Sequence, residues 1–351
     1  RHAGDGQLFT VGGCDKEGED AVNELTHLFI DAYYENNMLE PKMNVRVNSS
    51  NSDEFLKKLA KLTIESEGSP FITQFDNVVI DALKKEGLDH EEVLDYAPIG
   101  CLETTINGSE GGTVDVHFNM VKPLELVLTR GEDNLTEEEL GPDTGNPKDF
   151  DSFEEFKEAY KTQLEAMVET TMEVQDEYIR LRGEYLPCPY VSIFMKGCME
   201  SGEDVKNGGA YYAPTTFNGV GIATVADSLA AVKKSFERDD ISFEELIDAC
   251  LDDWEGHDDL RLRMKNKMPK FGNDNDYVDS LGEEILRFWT DMIKGKETPV
   301  GREYRAGYLS WNHYIHYGKK TMATPDGRKI RDWISNGVGP TQGMDVDGPT
   351  V

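Results

Sequence analysis

Between Ser152 and Arg182, side chains recur at alternating three- and four-residue steps: Phe153, Phe156, Tyr160, Leu164, Met167, Thr171, Val174, Tyr178 and Leu181. This spacing is one seam of an α-helix, and at 1.5 Å per residue the helix would be about 45 Å long. Ser152 and Glu155 stand at capping-box spacing and mark its start. A rod of that length needs a broad partner, either a second helix in a coiled coil or the wall of a barrel. The preceding stretch, residues 131–150, carries two prolines, three glycines and many acids, and predicts an exposed acidic loop within one domain.

The rest of the chain alternates helical and strand signals. Residues 19–33 place Val22, Leu25, Leu28, Phe29 and Ala32 on one helical face, and residues 53–66 do the same with Phe55, Leu59 and Leu62. Ser242 and Glu245 open another helix, and Tyr277, Leu281, Ile285, Phe288 and Met292 mark a further one. Short β-branched and aromatic runs near Val11, Val45, Ile72 and Val191 have strand character. Strands alternating with helices predict an α/β architecture.

Chemistry concentrates in residues 98–122, PIGCLETTINGSEGGTVDVHFNMVK. Cys101 sits between Gly100 and Leu102, with carboxylates at Glu103 and Asp115 and an imidazole at His117. The glycines and Asn107 downstream predict a loop, and in an extended backbone positions 101 and 103 face the same way. A lone cysteine is often only a small buried hydrophobe. As a thiolate nucleophile it would be poorly served, because a neighbouring carboxylate raises a thiol's pKa by like-charge repulsion. The arrangement suits neutral sulfur beside an acid–base group.

The charge balance, 68 acidic against 36 basic residues for a net −32, opposes binding to nucleic acid and to anionic membranes. No apolar run approaches the roughly 20 residues of a spanning helix. The five cysteines form no CxxC pair and have no histidine at zinc-ligand distance, which predicts reduced thiols in a cytoplasm and no metal.

The Gly-Cys-x-Glu loop, followed by Asn119 and Lys122 at a helix start, resembles the cysteine finger of the glycyl radical enzymes, the pyruvate formate-lyase superfamily. GQLFTVGG, DAVNEL and SPFITQFDNVVIDAL upstream, and GGAYY, GVGIATVADSLAAVKK and ATPDGR downstream, resemble family segments in the same order. The resemblance covers nearly the whole chain. It implies part of a ten-stranded α/β barrel, two five-stranded half-sheets ringed by helices with the cysteine loop inside, and residues 1–351 as one partial barrel domain with material missing at both ends.

It also implies a mechanism. A glycyl radical on a glycine outside this chain, installed by a radical S-adenosylmethionine activase, takes hydrogen from Cys101. The resulting thiyl abstracts hydrogen from a small hydroxylated substrate, with Glu103 as base on the adjacent hydroxyl, Asp115 and His117 as substrate-binding residues, and a homodimer as the assembly. Pyruvate formate-lyase itself has two adjacent cysteines, whereas Gly100 precedes Cys101 here. The sequence therefore resembles the eliminase branch, and the spacing of Asp115 resembles that of the diol dehydratases. Thr104 and the loop after it depart from those enzymes, which leaves choline, isethionate, hydroxyproline and arylacetate lyases as alternatives, and a non-catalytic spare-part subunit as another class.

Three further motifs read as structure. GVGIAT (219–224) lacks the third glycine of a dinucleotide loop, and YRAGY (304–308) lacks the register of the radical loop. His313 and His316 fit a packed aromatic face better than a metal pair.

Overall fold

Two three-stranded parallel sheets and one antiparallel hairpin make up the strands of the computed structural model, which describes residues 8–38, 40–100, 103–112 and 114–347. In chain order the first elements are β1 (Leu8–Gly12), α1 (Glu24–Asn36), β2 (Lys42–Val47), α2 (Asp53–Glu65), β3 (Ile72–Phe75), α3 (Asp76–Lys85), α4 (His90–Leu94), β4 (Tyr96–Ile99) and β5 (Glu103–Ile106). Then come β6 (Val116–Asn119), α5 (Lys122–Leu128), α6 (Phe153–Tyr185), α7 (Pro189–Ser192), α8 (Cys198–Ser201), β7 (Thr215–Val220) and α9 (Ile222–Glu237). The last are α10 (Phe243–Leu251), α11 (Asp258–Lys267), α12 (Asp276–Ile293), β8 (Tyr304–Gly307) and α13 (His313–Gly318). The fold separates into two compact units, residues 1–113 with 188–205 and 209–212, and the remainder.

In the first unit β1, β2 and β3 pair in parallel in that order, with Val11 opposite Val45 and Val45 opposite Thr73. Parallel pairing requires crossovers, supplied by α1 and α2. α2 forms where its pattern predicts: the Ser52 hydroxyl accepts from the Phe55 amide, and Phe55, Leu59 and Leu62 are buried against Val11, Met43 and Val45. α1 buries Thr26, Ile30 and Tyr33 instead of the expected face, leaving Leu25 and Leu28 exposed. The strand expected near Val191 is absent, because Pro189 starts a helical turn and the Asp204 carboxylate gathers the Cys188 amide and the Ser192 hydroxyl.

In the second unit β6, β7 and β8 are parallel, with Phe118 opposite Gly219 and Phe217 opposite Ala306. α9 is buried almost all round and packs against α12 and α6, so this sheet is covered by an apolar layer. GVGIAT is the strand-to-helix turn from β7 into α9, as its composition suggests. α6 has the predicted extent, and the Ser152 hydroxyl accepts from the Glu155 amide, but the Glu155 carboxylate takes the Asp151 amide and closes only half of the expected box.

The expected seam of α6 is right at its start and wrong at its end. Phe153, Phe156, Tyr160 and Leu164 are buried, but beyond them the buried positions are Val168, Met172 and Ile179, while Val174, Tyr178 and Leu181 are exposed. A 3.5-residue repeat drifts about 20° per heptad on a straight α-helix, so four heptads carry the contact stripe roughly one residue around. Most residues between 131 and 150 are exposed or partly exposed, while Gly131, Asp133 and Pro147 are buried.

Candidate active site

β4 and β5 form the antiparallel hairpin that carries the Gly-Cys-x-Glu motif, with Ile99 opposite Glu103 and Tyr96 opposite Ile106. Cys101 itself lies outside the described residues, whereas its neighbours Gly100 and Glu103 are defined. Gly100 has φ +57°, a left-handed backbone that favours glycine. A Cβ placed there would lie 2.5 Å from Oε2 and 2.9 Å from Oε1 of Glu103. The carboxylate thus occupies the space that a side chain at position 100 would fill, next in sequence to the cysteine.

In the second unit, Asp115 and His117 flank Val116 at the start of β6, two apart and so on one side of the strand. Asp115 is not a solvated loop carboxylate. Its Oδ1 receives Arg182 Nη1 of α6 at 3.4 Å, and its Oδ2 receives the Thr216 amide of β7 at 3.2 Å, with only 11% of the side chain exposed. The His117 ring stacks on His313 at 4.1 Å between centroids, and its carbonyl accepts the Tyr317 hydroxyl at 2.6 Å. Burial pushes the Tyr317 hydroxyl up to about 12, which keeps it a donor. Burial, followed by the neighbouring His316, lowers the pKa of His313, whose ring also packs on Tyr317 at 5.5 Å. This is the packed aromatic face read from the sequence, and no group that could hold a metal occurs among the described residues.

Asn119 and Lys122 are anchored as well. The Asn119 carboxamide accepts the amides of Val121 and Lys122 and so opens α5, and its nitrogen donates to Thr321 at 2.9 Å. The Lys122 ammonium is buried between Glu125 at 2.8 Å and Asp133 at 2.9 Å. Arg182 and Tyr317, which fix Asp115 and His117, lie 67 and 200 residues away in sequence, and no local pattern announces either.

The Pyruvate formate lyase-like family model matches residues 2–318. The chain therefore belongs to the pyruvate formate lyase-like family. It is 32% identical to trans-4-hydroxy-L-proline dehydratase of Clostridioides difficile, over 98% of this chain and 44% of that protein. It is 35% identical to (2S)-3-sulfopropanediol dehydratase of Klebsiella oxytoca, over 99% and 43%. The structure superimposes on the glycerol-bound form of the B12-independent glycerol dehydratase from Clostridium butyricum with a TM-score of 0.90 and 34% identity, covering 97% of this chain and 43% of that one. The superposition gives the chain the fold of these relatives, in the α/β class expected from the sequence, and the chain spans less than half their length. No described helix is long and apolar enough to cross a membrane.

Proposed function

We propose that this chain is the central part of a cytoplasmic glycyl radical lyase that removes water from a small diol. One observation carries the reading: the Glu103 carboxylate is folded over a left-handed Gly100 at the turn of the hairpin that bears Cys101. A general base held against the glycine that precedes a cysteine fits this use. A glycyl radical on a glycine outside this chain, installed by a radical S-adenosylmethionine activase, would supply the unpaired electron.

Within the proposal, Cys101 gives up its hydrogen and takes one from the substrate carbon. Glu103 accepts the proton of the hydroxyl on that carbon, which eases departure of the neighbouring hydroxyl. The proton leaves with that group as water, and Cys101 returns its hydrogen to the product radical to give an aldehyde. Asp115 and His117 serve as substrate-binding residues, Asp115 as an acceptor whose orientation is set by Arg182 and Thr216. A diol agrees with the glycerol and sulfopropanediol dehydratases among the similar proteins. A homodimer and the activase are the proposed partners.

The test is anaerobic activation of the full-length protein, with spin counting by electron paramagnetic resonance and turnover of glycerol, 1,2-propanediol, hydroxyproline, choline and isethionate. Cys101→Ser should retain the glycyl signal and lose turnover, since oxygen does not replace sulfur as a reversible hydrogen carrier. No radical in the wild type, or turnover by Cys101→Ser comparable with it, would overturn the reading; turnover of choline or isethionate but neither diol would remove the diol assignment alone.

A further inference from the structure

β4 is held to the sheet of the first unit by side chains instead of a backbone ladder. Its ladder partner is β5, while β2 pairs with β1 on one side and β3 on the other. Asn44 and Arg46, two apart and hence on one face of β2, reach carbonyls of β4 that are also two apart. Asn44 Nδ2 donates to the Pro98 carbonyl at 3.0 Å, and Arg46 Nη1 donates to the Tyr96 carbonyl at 3.0 Å. Arg46 Nη2 adds the Leu94 carbonyl at 2.9 Å. Both side chains are buried, at 0% and 5% exposure.

The arginine is itself immobilised. Asp76 binds it through two bonds of 2.9 and 3.0 Å, and its guanidinium lies 4.2 Å from the centre of the Tyr96 ring, whose hydroxyl donates to Asp76 at 2.9 Å. A planar fork fixed in this way holds its acceptors in one geometry. Pro98 stands three residues before Cys101, so these bonds fix the arm of the hairpin directly behind the reactive position.

We propose that Asn44 and Arg46 are positioning residues that set where the hairpin delivers Cys101. The proposal rests on the reading of Cys101 as the hydrogen carrier. Backbone pairing would resist displacement of β4 along its whole length, whereas here Asn44 and Arg46, with Tyr96 stacked on the arginine and bonded to Asp76, set its depth, so losing one anchor lets the arm shift while the sheet stays intact.

The test uses the full-length protein with Asn44→Leu and Arg46→Lys, and with Phe55→Leu as a control that perturbs the α2 core of the same sheet. Three quantities are compared: hydrogen exchange of the amides of residues 104–106, alkylation of Cys101 by iodoacetamide before activation, and kcat per glycyl spin with KM. Asn44→Leu should speed exchange at residues 104–106 and change the Cys101 alkylation rate, since loss of anchoring raises local opening. Its kcat per spin should fall about tenfold to a hundredfold with a KM change under about threefold, the scale expected for an ångström-sized misplacement. Phe55→Leu should lower the melting temperature and leave all three quantities near wild type. If the wild type shows no radical-dependent turnover, the functional reading fails, while exchange and alkylation still decide the positioning role. Should Arg46→Lys fail to fold, Asn44→Leu decides alone. Unchanged exchange and alkylation in Asn44→Leu, or equal effects in Asn44→Leu and Phe55→Leu, would overturn the proposal.

Discussion

Substituting Gly100 by alanine separates a backbone effect from a chemical one. The left-handed φ of +57° costs an alanine about 1–2 kcal/mol, which a domain stable by roughly 5–15 kcal/mol survives. The new methyl group would also stand 2.5 Å from Glu103 Oε2 and 2.9 Å from its carboxyl carbon. The carboxylate must withdraw by about 1 Å to restore ordinary contact. A displacement of that size at a proton-transfer site lowers the rate on the order of a hundredfold. Gly108 provides the control. It has φ +68°, but a Cβ there would meet only the Phe194 carbonyl at 3.8 Å. Gly108→Ala therefore carries the backbone cost without touching Glu103. Measured as kcat per glycyl spin, with melting temperatures from calorimetry, both variants should lose a few degrees and only Gly100→Ala should lose the rate. Equal kcat in the two variants, or a loss below threefold in Gly100→Ala, would refute the role given to the contact between Glu103 and Gly100.

Glu103→Gln should cost the 10² to 10⁴ typical of general-base removal, and a loss below tenfold in steady-state kinetics would make this carboxylate structural. Asp115→Asn should raise KM for a diol roughly threefold to thirtyfold, the difference between a charge-assisted and a neutral hydrogen bond; an unchanged KM would remove Asp115 from the substrate contacts. Asp227, buried in α9 with Lys270 at 4.0 Å, has its pKa raised by burial to about 7. The folded protein then holds a proton that the unfolded chain releases above its ordinary value near 4, so this contribution to stability is complete at low pH and is lost as pH rises through 7, by up to about 4 kcal/mol. Calorimetry between pH 5 and 8 should show a melting temperature that falls with pH and a flatter profile in Asp227→Asn; identical slopes would contradict the assignment.

The parts of this molecule that could be read from sequence are those specified locally. α2 follows its apolar spacing, α6 starts at its serine cap, and Gly100 leaves β4 with the left-handed backbone that glycine adopts most readily. The later seam of α6 could not be placed, because which side of a long helix is buried depends on cumulative twist relative to partners distant in sequence. The helical turn at Pro189 was hidden because its β-branched and aromatic residues are outweighed by Asp204, a tertiary anchor. Asp115 was visible as a candidate by spacing alone, but its ion pair with Arg182 joins β6 to the far end of α6, and local pattern carries no information about such a pairing.

Lys122 helped to reveal the family, yet the structure makes it a tie. Its ammonium joins two buried carboxylates, and Glu125 also accepts the amides of Asn134 and Met322. Loss of the lysine alone would strand two buried anions, a change that costs about 3–5 kcal/mol for a broken buried pair. The lysine therefore serves the architecture of this chain, whatever reaction the hairpin performs. A chain that kept this tie but lost its cysteine would keep the packing at the root of α5, so the asparagine and the lysine speak for the scaffold and say nothing about whether it turns over a substrate.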